Sequence, residues 1–159
     1  MESRPDLLQE LRGVTPPNSI EAERSVLGAM LQDPNAVMQA AETLTAEDFY
    51  QPQHRELFDA MMKLFREQTP VDLVTADSEL SRRGTLEGVG GTAYLIELSR
   101  SVPSAVNARA YIQIVDEKST LRKLIAASEK ITQACYAGDR ETQEVLEEAE
   151  KLIYDITMR

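Results

Sequence analysis

SAVNARAYIQIVDEKSTLRKLIAASEKITQACYA, residues 104–137, contains neither Pro nor Gly and keeps a helical apolar rhythm from end to end. Such a stretch predicts one uninterrupted helix, about 50 Å long at 1.5 Å per residue. Pro103 bounds it on one side, and YAGDRET, with Gly138 as the helix stop, breaks it on the other. Asp139 or Thr142 can cap a return helix to about Thr157, which makes an antiparallel helical hairpin of the C-terminal third. AYIQIV alone alternates Ala110, Ile112 and Ile114 as a strand would, yet no turn signal flanks it, so it reads as helix.

This hairpin carries more apolar surface than two helices can hide from each other. The return helix places Val145, Ala149, Leu152 and Ile156 at the spacing of a two-helix seam, with Leu146 and Ile153 as a second line beside it. On the long helix, Val106, Ala110, Tyr111, Ile114, Val115, Leu121, Leu124, Ile125, Ile131 and Cys135 cover more than one narrow face. Removing apolar area from water is worth roughly 25 cal/mol per Å², so the surplus is expected to find another chain. Val115, Leu121, Leu124, Val145, Leu146, Leu152, Ile153 and Ile156 are the candidate oligomer-interface residues. The competing reading folds the hairpin back on the rest of the chain and buries the surplus there.

Upstream, punctuation is dense and the predicted helices are short. PPNSIEAERSVLGAMLQDP, residues 16–34, opens with Asn18 as N-cap and Glu21 three positions on, and closes on Asp33 as the next N-cap with Pro34 at the first helical position. A second helix comes next over residues 34–42, burying Val37, Ala40 and Ala41, and TAEDFYQP is a turn that inserts Phe49 and Tyr50. The third, about residues 52–67, has Leu57, Phe58, Met61, Met62, Leu64 and Phe65 in a broad core-facing stripe. A fourth is capped by Thr75 or Asp77 and stopped by Gly84, and a fifth carries Leu95 and Leu98 after a glycine-rich loop. The expected fold class is all-α: a poorly ordered tail over residues 1–15, a helical bundle head over 16–102 and the hairpin over 103–159.

Composition narrows the function. The chain has 159 residues, a formal net charge of -10, 5% aromatics and no Trp, so most of its surface repels nucleic-acid phosphates and offers little for base stacking. No apolar run approaches the roughly 20 residues that span a bilayer, and the start lacks a secretory h-region. With a single Cys there is no intrachain disulfide, and the expected compartment is the cytoplasm.

The residues that could carry chemistry do not assemble into a catalyst. GVGG, with Gly88, Gly90 and Gly91, lacks the Lys-Ser/Thr of a phosphate loop and reads as a turn whose glycines supply positive φ. His54 is the only histidine and reads as structural or surface, and Cys135 as a buried thiol. Glu141, Glu144, Glu147, Glu148, Glu150 and Asp155 lack cation-loop spacing and form a solvated face. Arg109, Lys118, Arg122, Lys123 and Lys130 are spread along the long helix, placed either to touch a nucleic-acid backbone in an assembly or to pair with the acidic return helix. Spacing alone therefore yields a helical assembly module with no catalytic, metal or cofactor site.

PPNSIEAERSVLGAML at 16–31, EDFYQPQHRELFDAM at 47–61, PVDLVTADSEL at 70–80 and VGGTAYLIELSRSVPSAVNARAYIQIVDEKSTLRKLI at 89–125 together resemble the N-terminal domain of the bacterial DnaB-family replicative DNA helicases. The resemblance implies a collar above a motor ring, hexameric in the parent protein, with collars arranged as dimers or a trimer of dimers. It implies docking of primase, with Tyr94, Ile125 and Ile131 at the docking positions, although either isoleucine could equally be hairpin or subunit seam. A helicase loader acts on such a ring, and single-stranded DNA passes through it, bound weakly by this part alone. ATP and Mg belong to the parent's motor, whose G-x-x-x-x-G-K-[ST] loop is absent here, so this part is expected to be inactive alone and to come from a longer chain. The alternative is a standalone helical adaptor or loader-like regulator with no motor of its own. A helix-turn-helix DNA reader is disfavoured by the acidic balance.

Overall fold

The computed structural model describes residues 10–11, 13–102 and 107–158. Their regular structure is helical, with no strand among the described residues. The helices are α1 Ile20–Gln32, α2 Pro34–Thr43, α3 Pro52–Arg66, α4 Leu73–Arg83, α5 Leu86–Val89, α6 Gly91–Ser101, α7 Ala108–Ala137 and α8 Thr142–Thr157, with a 3-10 turn at Ala46–Asp48. AYIQIV is helical, inside α7. The expected start of the long helix at Ser104 and most of the expected loose tail lie outside the described residues; within that tail, Glu10 and Leu11 are helical.

Local chemistry sets most helix ends, with four corrections, one of them at α8, where Glu141 and not Asp139 or Thr142 stands at the N-cap and no side chain bonds the first turn. Ser19, not Asn18, caps α1, its hydroxyl accepting from the Ala22 N–H at 3.1 Å. Asp33 caps α2 as expected, accepting from the Asn35 N–H at 2.9 Å, with Pro34 directly after it. Asp72, not Thr75 or Asp77, caps α4; Thr75 is its reciprocal partner in a capping box. Gly84 stops α4 in the left-handed region at φ 75°, and Gly138 stops α7 at φ 64°. The glycine-rich stretch is not all loop, since Leu86–Val89 makes one helical turn.

The chain divides into two compact units, one of them Asn18–Thr120. Its α1 packs on α2, α3 and α6, and α3 on α4, α5 and the 3-10 turn. Leu27, Met30, Phe49, Leu57, Phe58, Met61, Leu80, Leu95 and Leu98 fill the centre, with the Phe49 and Phe58 rings 4.9 Å apart. Phe65, at the end of the α3 stripe, is exposed. The first turns of α7 belong to this core through Ala108, Ile112 and Val115. Val115 is 2% exposed and is therefore withdrawn from the interface set, because a side chain with no open surface has none to offer a second chain.

Buried polar groups tie the unit together. The Asp48 carboxylate accepts from the Thr45 N–H at 2.7 Å and from the Ser119 hydroxyl at 2.6 Å, fastening the 3-10 turn to α7. Glu79 on α4 takes Arg82, Arg83 and Lys63, and hydrogen bonds from Arg82 and then Arg83 hold its carboxyl down to about 2. Gly28 permits a close helix approach: a Cβ there would stand 2.3 Å from the Leu98 carbonyl oxygen, so only glycine lets α1 and α6 meet this closely.

The second unit runs from Leu121 onward and takes in the described residues before Asn18. Within it the Arg122 guanidinium donates to the Pro17 carbonyl at 2.7 Å. Residues 138–141 alone join α7 to α8. No residue of α8 is fully buried; Val145, Ala149, Leu152 and Ile156 are half-buried, as a seam covered by one neighbour would be. Cys135 is exposed, which corrects the buried-thiol reading: the apolar stripe it extends has no cover at that end.

Candidate functional site

Tyr94 sits in the first turn of α6, where Gly90 caps the helix at φ 128°. A Cβ on Gly90 would stand 2.7 Å from the Tyr94 Cβ and 2.9 Å from its Cγ, so the glycine answers both to backbone geometry and to the ring beside it. Gly90→Ala is expected to destabilise the unit by about 1–3 kcal/mol and to displace the Tyr94 ring. Gly88→Ala, where a Cβ meets nothing within 4 Å, leaves both unchanged or slightly gains stability. Thermal unfolding together with the aromatic proton spectrum separates the two variants.

Behind Tyr94 lies a polar chain buried in the core. Glu23 on α1 and His54 on α3 are both fully buried, with Glu23 Oε1 2.8 Å from His54 Nδ1. Glu23 also accepts the Tyr50 N–H at 2.7 Å and the Gln51 N–H at 3.4 Å, which satisfies the loop that leads into α3. His54 Nε2 lies 2.7 Å from the Tyr94 hydroxyl, and the two rings are nearly parallel at 6.0 Å. Burial raises the Tyr94 phenol above its ordinary value, partly offset by the Arg24 charge.

Outside this chain the surface is mixed in charge. The Arg24 guanidinium stands 5.5 Å from the Tyr94 ring centroid and pairs with Glu97 at 3.1 Å; the hydrogen bond from Arg24 to Glu97 raises the pKa of Arg24. Arg24, Ala93, Ile96, Glu97, Arg100 and Ser101 line a shallow groove along α1 and α6. A half-buried aromatic beside an apolar floor with a charged rim suits capture of a partner side chain rather than bond chemistry.

The other sequence-predicted positions belong to the second unit. Ile125 is exposed and Ile131 half-buried; six residues apart, they are about 120° apart around α7 and face different ways. Leu121, Leu124, Ile125, Leu146 and Ile153 are each between 38% and 52% exposed. Val145, Leu152 and Ile156 lie half-buried. Glu23 and His54 are absent from the sequence-derived site, although both interrupt apolar helix faces at the spacing of Val26 and Leu27, and of Leu57 and Phe58.

Residues 15–117 match the DnaB-like helicase N terminal domain family. The chain belongs to this family. As a DnaB N-terminal domain it is 44% identical over 144 residues to the replicative DNA helicase DnaC of Bacillus subtilis, and equally to the replicative DNA helicase DnaB of Geobacillus stearothermophilus. Each match covers 91% of the chain and 32% of the relative, so the chain spans about a third of those helicases. The crystal structure of the N-terminal domain of DnaB helicase from Mycobacterium tuberculosis superposes with a TM-score of 0.83 at 42% identity, covering 89% of this chain and 99% of that one. A DnaB-like replicative helicase solved to study its interactions with primase matches with a TM-score of 0.69 at 31% identity, over 82% of this chain and 31% of that one.

The residues of this N-terminal domain do not fit the ATP and Mg that replicative helicases use. Gly90 and Gly91 have no following Lys-Ser/Thr, and Gly90 is packed against Tyr94 rather than open to a phosphate. Among the described residues no group of three or more His, Cys, Asp or Glu is placed to hold a metal ion, and no helix is long and apolar enough to cross a membrane.

Proposed function

We propose that this chain is the collar of a replicative DNA helicase: its hairpin joins copies of the protein, and Tyr94 on the head, like Ile125 and Ile131 on the hairpin, is a docking position for primase. The observation that carries this reading is the uncovered apolar row of Leu121, Leu124, Ile125, Leu146 and Ile153 on an otherwise acidic chain. Exposed leucines and isoleucines at helical spacing are costly in water and inexpensive against a second hairpin. In the assembled parent this gives a hexamer built as a trimer of dimers, in the cytoplasm, with ATP and Mg serving the motor. A helicase loader acts on the ring, and single-stranded DNA passes through it while binding this part weakly, because the net charge of -10 repels phosphate.

Sedimentation of the chain over a range of concentrations, alone and with the helicase-binding domain of primase, tests both halves. Self-association that rises with concentration is expected. Tyr94→Ala and Ile125→Ala are each expected to weaken primase capture by about tenfold, the ordinary size of one lost interface anchor. A strictly monomeric chain sinks the assembly half, and full capture by both variants sinks the docking half.

A further inference from the structure

We propose that Glu23 and His54 are positioning residues for Tyr94: the buried pair draws the tyrosine hydroxyl into the protein, so that a docking partner meets the ring and not the hydroxyl. This rests on the reading of Tyr94 as a docking residue.

Two other buried carboxylates of the head have a plain structural task. Asp48 fastens the 3-10 turn to α7, and Glu79 gathers the cations of α3 and α4. His54 does neither. Both of its ring nitrogens are used, one toward Glu23 and the other toward Tyr94, and an apolar residue of similar size would fill the same space without the cost of desolvating an imidazole. What the imidazole adds is a polar atom aimed at position 94.

The direction of the hydrogen-bond chain is set by donor and acceptor capacity. The Glu23 carboxylate can only accept, so Nδ1 of His54 carries the proton and donates to it. With one proton on the ring, Nε2 is left as an acceptor, and the Tyr94 hydroxyl donates to it. That hydroxyl's proton is committed to His54, and the Arg24 guanidinium, which also hydrogen-bonds Tyr94, closes its outer side. The near-parallel stacking of the two rings and Gly90 beside the Tyr94 Cβ hold the remaining freedom of the side chain. A ring already fixed in one orientation loses less freedom when a partner settles on it. Its accessible part then offers aromatic carbon beside the Arg24 cation, a surface matched to an apolar or aromatic anchor on the partner.

Glu23→Gln turns this polarity round. The amide oxygen is needed by the Tyr50 N–H at 2.7 Å, which leaves the NH2 facing His54 Nδ1; that nitrogen must now accept, and the proton moves to Nε2. Because His54 is the only histidine, the 15N spectrum of its ring reports the tautomer without ambiguity. The parent chain should show Nδ1–H and the variant Nε2–H. A titration with the helicase-binding domain of primase should weaken about three- to tenfold for Glu23→Gln and likewise for Tyr94→Phe. The double variant should be no weaker than Tyr94→Phe alone, since both act through one hydroxyl.

Thermal unfolding run alongside confirms that each variant is folded. If Glu23→Gln is not, Tyr94→Phe and the tautomer of the parent still decide. Additive losses, Nε2–H in the parent chain, or full capture by Tyr94→Phe where Tyr94→Ala loses it, overturn the positioning role and leave the docking role standing. Full capture by Tyr94→Ala overturns both.

Discussion

Glu23→Ala is expected to lower the unfolding free energy of the chain by about 3–5 kcal/mol, the range for breaking a buried charged network by deleting one partner. Three donors lose their acceptor at once: the Tyr50 and Gln51 N–H groups and His54 Nδ1. Each buried group left unsatisfied costs about 1–3 kcal/mol. The better helix propensity of Ala returns only a few tenths of a kcal/mol, roughly. Glu21→Ala, on the exposed side of the same helix turn, should cost no more than about 1 kcal/mol through the helix dipole. Urea unfolding followed by circular dichroism compares them, and equal midpoints for the two variants would remove the network from any account of the head's stability.

Gly28→Ala runs against the usual rule for helix interiors. Replacing a mid-helix glycine ordinarily gains up to about 1 kcal/mol. Here the new methyl would stand 2.3 Å from the Leu98 carbonyl oxygen and 2.8 Å from the Val102 Cγ2. A backbone oxygen cannot swing aside as a side chain can, so α1 and α6 must separate along the contact that organises the head. The expected outcome is a net loss of about 2–3 kcal/mol, a large share of the roughly 5–15 kcal/mol typical of a domain. The same unfolding measurement checks it, and an unchanged or raised midpoint would mean that the two helices do not approach this closely in solution.

Both effects arise from contacts between distant helices, whereas the features legible in advance are local. Helix ends were readable because caps and stops act within three or four residues of themselves: Asp33 with Pro34, Gly84 and Gly138 could be placed from their neighbours alone. Where two good caps stand side by side, as Asn18 and Ser19 do, the backbone conformation chooses, and Ser19 is the one in the extended region ahead of the first turn. The apolar rhythm of α7 was equally legible, and it marks a stripe without saying what lies against it. Val115 and Cys135 show the difference, one deep in a core and the other open to water on the same helix. Tyr94, Ile125 and Ile131 are marked by resemblance to a family and not by rhythm.

The sequence by itself determined the all-helical class, the bundle followed by a hairpin and the apolar excess on that hairpin, because each arises from periodicity and from signals that operate over one or two turns. Only the tertiary structure decided that a glutamate, a histidine and a tyrosine on α1, α3 and α6 meet in one buried line, and that Gly28 must stay bare. Hydrogen-bond direction and steric exclusion act between atoms that fall together in space, across intervals of 31 and 40 residues for the two links of that line, and no local pattern encodes which helices will converge.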